Sequence, residues 1–186
     1  GKPFGSGGAM QPFGLVALGL FESQEEIDNS PKQTFGEYRI GDIKYQDING
    51  DGVINSQDQV AMGYTNLPEM IYGFGATAQW KNWDVNVFFQ GVGHVNFFLS
   101  GSTIKTPFGS GNMERAAINE YVYNKVWRPG NTPEQNAGVI YPRLSWSGSS
   151  GSSNNAQTSD WWMRDGSFLR LKNFEVGYTM PKSLMS

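Results

Sequence analysis

The sequence contains no cysteine and only one histidine, His94. The absence of cysteine excludes disulfides, cysteine nucleophiles and thiolate metal sites, although it leaves the redox compartment open. A single histidine nearly excludes a Ser-His-Asp triad, a zinc site with several histidines and an HExxH motif. The acidic residues of 22–28 lie together on one turn, whereas a glycosidase needs two carboxyl groups facing each other across a sugar. We therefore expect that the chain is not an enzyme.

Charge and long apolar segments are also scarce. Charged residues make up 17% of the chain and the net charge is -3. Because no segment gathers lysine and arginine, we expect no nucleic-acid partner. No run of about 18 apolar residues is present, so the sequence predicts no membrane helix, and no secretory signal peptide is recognised. Any membrane role must therefore use β-strands, which the 24 glycines and the 14% of aromatic residues favour.

Three segments alternate between apolar and small or polar residues with a period of two. In residues 70–80, one face carries Tyr72, Phe74, Ala76, Ala78 and Trp80. Lys81-Asn82 predicts a tight turn, after which the apolar face continues with Trp83, Val85, Val87 and Phe89. Residues 168–180 resume the same period with Phe174, Val176, Tyr178 and Met180. Each predicted strand has the length of about ten residues that crosses a bilayer at the tilt of a barrel.

Two architectures fit these strands. A soluble sandwich would bury the apolar face under a second sheet. An outer-membrane barrel would turn the same face toward lipid and place aromatic residues near the strand ends. A tight turn at one end and connections of tens of residues at the other are typical of the barrel, but the pattern alone leaves both architectures open.

Helical signals are few. One short helix is predicted near residues 113–126, from the apolar residues Ala116, Ala117, Ile118 and Val122. Ser23 and Glu26 have the spacing of a capping box, which indicates either a short helical turn or an ordinary loop containing one turn. The other connections are polar and rich in glycine and serine, as expected of loops.

The strongest local motif is the acidic loop of residues 47–58, DINGDGVINSQD. Its oxygen-bearing residues have the spacing of a calcium loop, with glycine at the sixth position for the sharp turn. Calcium is a hard cation that takes six to eight oxygen ligands, and alternate residues of a curling loop can direct oxygens at one point. The predicted ligands of a Ca²⁺ ion are Asp47, Asn49, Asp51, the carbonyl of Val53, Asn55 and Asp58.

The twelfth position of this loop is Asp58, where an EF-hand has glutamate. The shorter side chain makes the loop resemble the dockerin type, and no pair of flanking helices is evident, so a structural role is expected rather than a calcium switch. The alternative is a turn rich in Asp, Asn and Gly that binds no metal.

Three tryptophans outside the predicted strands are candidates for stacking on sugar rings, because their flat apolar faces match those of glycans. They are Trp127, Trp161 and Trp162. The alternative is that they anchor the base of a loop or lie at a membrane interface.

Several stretches, in this order, resemble the C-terminal part of SusC/RagA-type TonB-linked transporters. They are residues 41–47 (GDIKYQD), 72–74 (YGF), 87–91 (VFFQG), Trp127, 141–143 (YPR), 165–173 (DGSFLRLKN) and 177–181 (GYTMP). The resemblance extends over nearly the whole chain from Gly19 onward, and the order of the stretches makes it more specific than any single motif.

This resemblance implies a 22-stranded barrel in the cell outer membrane, closed by a plug and surrounded by outer-membrane lipid. It implies import of glycans or peptides with a SusD-like surface lipoprotein, and energy delivered by TonB through a plug region that we expect to lie outside these residues. It also implies that Lys81-Asn82 is a periplasmic turn and that the long connections are extracellular.

The predicted fold class is therefore all-β, with antiparallel hairpin and meander strands, long extracellular loops and one short helix. Residues 1–69 are expected to form an extracellular loop region, 70–93 a transmembrane hairpin, 94–165 a long extracellular loop, and 166–186 a transmembrane strand and its following turn. The alternative function is a secreted, dockerin-like or carbohydrate-binding surface module stabilised by calcium.

Overall fold

The computed structural model describes residues 11–99, 120–144 and 153–181. These residues fall into two compact units. We call residues 11, 63–97 and 165–181 the sheet unit, and residues 12–62, 98–99, 120–144 and 153–164 the core unit. Among the described residues, no helix is long and apolar enough to cross a membrane.

Strands dominate the described residues. In chain order they are β1 Phe13–Gly14, β2 Ala17–Leu20, β3 Lys32–Gln33, β4 Ile43–Tyr45, β5 Val53–Ile54, β6 Val60–Ala61, β7 Met70–Trp80, β8 Trp83–Gly93, β9 Asn96–Phe98, β10 Met163–Asp165 and β11 Phe168–Tyr178. The helices are short, namely α1 Gln24–Asp28, α2 Glu120–Asn124 and α3 Pro133–Ala137, with 3₁₀ turns at Ser56–Asp58 and Asp160–Trp162.

The sheet unit contains one antiparallel sheet in the order β11-β8-β7. Each of its three strands has 11 residues. Strands β7 and β8 form a hairpin in which Trp80 lies opposite Trp83, and β11 pairs with the other edge of β8 so that Tyr178 also lies opposite Trp83. The ladder between β8 and β11 is interrupted by a bulge between Leu171 and Asn173. The predicted strands and the tight turn are confirmed.

One face of this sheet is apolar across all three strands, because directly paired residues point to the same side. Its side chains include those of Phe74, Phe89, Leu171, Phe174, Val85 and Val176. These side chains are not covered: Phe74 is 52% exposed and Phe174 is 60% exposed. A soluble sandwich would bury this face, so its exposure argues against that architecture.

The opposite face is polar. Thr77 Oγ1 donates to Asn86 Oδ1 at 3.3 Å, and Asn86 Nδ2 donates to Glu175 Oε2 at 3.4 Å, which forms a row of hydrogen bonds across the three strands. Phe88 interrupts this face but lies across Gly73, where an added Cβ would come within 2.9 Å of the Phe88 ring. Glycine at this position therefore lets the phenylalanine ring lie flat on the sheet.

The core unit contains the buried apolar cluster. Its members are Leu15, Ile43, Tyr45, Ile54, Val122, Val126, Tyr141 and Trp162. Short strand pairs surround it: β1 pairs with β6 and β2 with β4 in antiparallel directions, whereas β3 and β5 are parallel. The chain is thus strand-rich with antiparallel sheets and few short helices, consistent with an all-β barrel segment.

The helices are partly as predicted. The helical turn after Ser23 is confirmed as α1, whose N-cap is Ser23 Oγ accepting from the Glu26 N–H. Helix α2 lies inside the predicted range 113–126, of which residues 113–119 are outside the described residues. Helix α3 was not predicted, so the described residues contain more short helices than the one expected.

Candidate functional site

The acidic loop lies between β4 and β5 and is closed by its own side chains. The Asp47 carboxylate accepts hydrogen bonds from the N–H groups of Gly50 at 2.7 Å and Gly52 at 2.8 Å. The Asp51 carboxylate accepts from the Val53 N–H at 2.8 Å. Gly52, the predicted sixth position, has φ of +80°, a conformation that glycine adopts without strain.

Asp58 closes the loop from inside. Its side chain is fully buried, and its two oxygens accept from the N–H groups of Ile48 at 3.0 Å and Asn55 at 2.8 Å. Burial raises the pKa of the Asp58 carboxyl, but hydrogen bonds from these backbone groups and from Asn49, with the adjacent Asp47 carboxyl, bring it below its ordinary value. Asp58 is therefore a carboxylate at neutral pH that joins the two ends of the loop.

The chemistry of the loop fits a hard cation only in part. Every predicted ligand offers oxygen, and a carboxylate oxygen that accepts one N–H bond keeps a second lone pair. Within the described residues, however, no three acidic or histidine side chains are arranged to hold an ion together. The loop is preorganised by hydrogen bonds, and calcium binding there stays a prediction.

A groove of about 1100 Å³ lies in the core unit. Its aromatic lining comes from Trp127 and Trp161, two of the three tryptophans predicted to stack on sugars. Its charged side chains are Arg39, Arg128, Arg143 and Glu22. Since these residues come from four separate parts of the chain, their convergence was not visible in the sequence.

Both tryptophan rings are held in place by their surroundings. Gly41 has φ of +88°, and a Cβ added there would lie 2.4 Å from the Trp127 ring, so only glycine allows the indole to pack against this backbone. The Trp161 indole N–H donates to the Ile140 carbonyl at 3.1 Å. The rings therefore form fixed walls rather than adaptable side chains.

Trp162 does not join this groove. It is fully buried in the apolar cluster, and its indole N–H donates to the Asn155 carbonyl at 2.7 Å. The prediction that Trp162 stacks on a glycan is therefore wrong, because the ring is enclosed by protein. Adjacent residues in an extended or 3₁₀ segment face different directions, so Trp161 and Trp162 have different surroundings.

A buried carboxylate holds Arg143, one of the lining side chains of the groove. Asp42 is fully buried and accepts two hydrogen bonds from the Arg143 guanidinium, at 3.2 Å from Nε and 2.9 Å from Nη2. The same carboxylate accepts from the Arg39 N–H at 2.8 Å and from Asn155 Nδ2 at 2.9 Å. Sequence reasoning missed this pair, because no local signal connects residues 101 positions apart.

The long antiparallel strands, with one apolar and one polar face, are consistent with a segment of an all-β barrel. No family model matches the chain. It is 32% identical over 174 residues to TonB-dependent receptor P26 of Formosa agariphila, covering 92% of this chain and 16% of that protein. It is 28% identical over 151 residues to TonB-dependent receptor P3 of the same organism, covering 81% of this chain and 13% of that protein.

The chain thus spans less than a fifth of the length of either relative. Over that span, the two similarities support assignment of the chain to the TonB-dependent receptor family.

Proposed function

We propose that the chain is part of a TonB-dependent outer-membrane transporter of the SusC/RagA type. In this proposal the receptor imports glycans or peptides together with a SusD-like surface lipoprotein, receives energy from TonB, and catalyses no reaction of its own. The similarity to two TonB-dependent receptors supports the family. The subtype is supported by the motif order from residues 41–47 to 177–181.

The observation that carries the transporter proposal is the exposed apolar face of the sheet unit. A strand of 11 residues is about 35 Å long, which at the tilt of a barrel crosses an apolar band of about 25 Å. Trp80, Trp83 and Tyr178 cluster beside the tight turn, and Trp80 is 69% exposed. Aromatic residues at this position match the girdle at a membrane interface.

This topology is tested in the outer membrane by labelling cysteines introduced one at a time into these residues, which contain none, with the unsubstituted receptor as background. Lys81→Cys places the thiol at the tight turn, and Glu134→Cys places it on the exposed surface of α3. With a maleimide on a polymer too large for porins, we expect intact cells to label Glu134→Cys only. Permeabilised cells should label both variants, whereas labelling of Lys81→Cys in intact cells would contradict the proposed orientation.

We also propose that the acidic loop binds one calcium ion in a structural role. Ligands would be Asp47, Asn49, Asp51, the Val53 carbonyl, Asn55 and Asp58. The order of the loop supports this, since backbone N–H groups hold the carboxylates of Asp47, Asp51 and Asp58 in place before any ion binds.

Titration calorimetry on the purified receptor tests the calcium proposal. We expect binding with a dissociation constant on the order of 10⁻⁴ M, typical of extracellular calcium modules. The double substitution Asp47→Ala with Asp51→Ala should abolish this heat. Asp28→Ala, which removes an exposed carboxylate at the end of α1, is the matched control and should leave it unchanged. Equal heats from the loop variant and the wild type would reject calcium binding by this loop.

A further inference from the structure

We propose that the groove in the core unit binds an acidic glycan, meaning an oligosaccharide that carries carboxylate or sulfate groups. This inference rests on the proposed import function and specifies its substrate class. It is carried by two fixed indole rings and by guanidinium groups that outnumber carboxylates among the lining side chains.

The charge of the groove favours an anion. Among the described residues that line it, three of the four charged side chains are arginines, and the fourth is Glu22. Arg143 is offset by the buried carboxylate of Asp42. Arg39 and Arg128 are therefore the two cations that a ligand can use.

Arg39 is only weakly engaged. Its guanidinium lies 3.6 Å from the Glu37 carboxylate, and the two side chains are 71% and 67% exposed. An ion pair so open to solvent contributes little, about 0–1 kcal/mol. An anionic group entering the groove can therefore replace Glu37 as the partner of Arg39 with little loss of free energy.

Arg128 is held in place without a counter-ion. Its guanidinium carbon lies 3.9 Å from the centre of the Tyr123 ring, and Nη2 donates to the Tyr123 carbonyl. Within the described part of the chain, no carboxylate forms an ion pair with Arg128. Arginine has five N–H donors in a planar fork that matches carboxylates and sulfates, so most of its donors remain for a ligand.

The uncharged lining favours carbohydrate. Trp127 and Trp161 offer flat apolar surfaces of the kind on which the C–H faces of sugars stack. Asn131 Nδ2 donates to Asn136 Oδ1 at 3.0 Å, which leaves the Asn131 oxygen and the Asn136 nitrogen to bond hydroxyl groups. The combination of stacking rings, amides and cations suits a glycan with acidic substituents.

The size of the groove favours several sugar units. At about 1100 Å³ it exceeds the range of about 300–1,000 Å³ that is usual for sites of small ligands. An oligosaccharide fills such a groove better than a single sugar does.

Calorimetry on the intact receptor, purified in detergent, tests this inference with matched probes. The acidic probes are oligogalacturonate and sulfated dextran oligosaccharides, the neutral probe is unsulfated dextran of equal length, and the peptide probe is oligoglutamate. We expect the acidic glycans to bind and neutral dextran to bind at least tenfold more weakly. The affinity for the acidic glycans should fall as salt rises, since exposed charges are screened.

Charge variants assign the binding to the groove. Arg128→Gln and Arg39→Gln should each weaken binding of the acidic glycan about tenfold, the effect of losing a hydrogen bond to a charged group. Glu22→Gln should strengthen it, because Glu22 is the only carboxylate among the lining side chains that the structure describes. Lys32→Gln, which removes an exposed cation outside the groove, is the control and should have no effect.

Three outcomes would overturn the inference. They are equal affinity for neutral and acidic dextran, unchanged affinity in both arginine variants, and binding of oligoglutamate in preference to glycans. A receptor that passes the cysteine-labelling test but binds no acidic glycan would reject the groove assignment alone. Failure of the labelling test would reject the transporter proposal itself.

Discussion

Ala76→Arg is expected to destabilise the receptor by about 2–4 kcal/mol and to reduce its amount in the outer membrane. Ala76 lies at the middle of β7, opposite Val87, on the apolar face that we propose contacts lipid. An arginine there would hold its charge near the centre of the bilayer, where it loses hydration. The measurement is urea unfolding of the refolded receptor in lipid vesicles, with the amount in outer-membrane fractions as a second readout.

Thr77→Arg is the matched control, since Thr77 is the next residue of the same strand and lies on the polar face. That side chain makes one hydrogen bond, to Asn86 at 3.3 Å, so its loss should cost no more than about 1 kcal/mol. If the two arginine variants were equally stable, the apolar face would not be in contact with lipid.

Asp42→Ala is expected to destabilise the core unit by about 3 kcal/mol. Breaking a buried ion pair costs about 3–5 kcal/mol, and the lower value applies because the Arg143 side chain remains 23% exposed and can be hydrated. The substitution also removes the acceptor of the Arg39 N–H and the nearer of the two acceptors of Asn155 Nδ2. Hydrogen exchange should show protection of residues 39–45 reduced about a hundredfold.

Glu37→Ala provides the comparison for that experiment. It breaks the exposed pair with Arg39 and should change protection by less than a factor of about five. A similar loss of protection in both variants would mean that Asp42 contributes no more than a solvated surface charge.

The sheet unit could be predicted from the sequence because its signals are local. The period-two alternation from Tyr72 to Trp80 fixes which side chains share a face, and Lys81-Asn82 marks the turn. On the face that we propose contacts lipid, side chains need only be apolar, which also simplifies the pattern. The strands were therefore found with nearly their observed bounds.

The core unit could not be predicted in the same way. The pairing of Asp42 with Arg143, and the meeting of Trp127 with Trp161 in one groove, depend on contacts between distant parts of the chain. The parallel pairing of β3 with β5 carries no sequence signal of its own. Trp162 illustrates the limit, since its sequence neighbour Trp161 lines the groove while Trp162 itself is enclosed.

Helix α3 is a different case, because its signal was present in the sequence. Thr132 caps the helix by accepting from the Gln135 N–H, the Gln135 side-chain oxygen accepts from the Thr132 N–H, and Pro133 occupies the first turn. Threonine followed three residues later by glutamine, with proline between them, is a recognised start signal. The helix was missed because every polar connection was interpreted as a loop.

The contrast between the exposed apolar face and the buried cluster has a consequence for how this sequence can evolve. Acyl chains are fluid and adapt to whatever surface they meet, so exchanges such as Val176→Leu on the side proposed to face lipid are nearly neutral and can accumulate by drift. Ile43 is enclosed on all sides, and a change of shape there must be matched by its neighbours. The two parts of the chain are therefore expected to accept different substitutions. On the apolar face a substituted side chain must only be apolar, whereas in the buried cluster it must also match the shape of its neighbours.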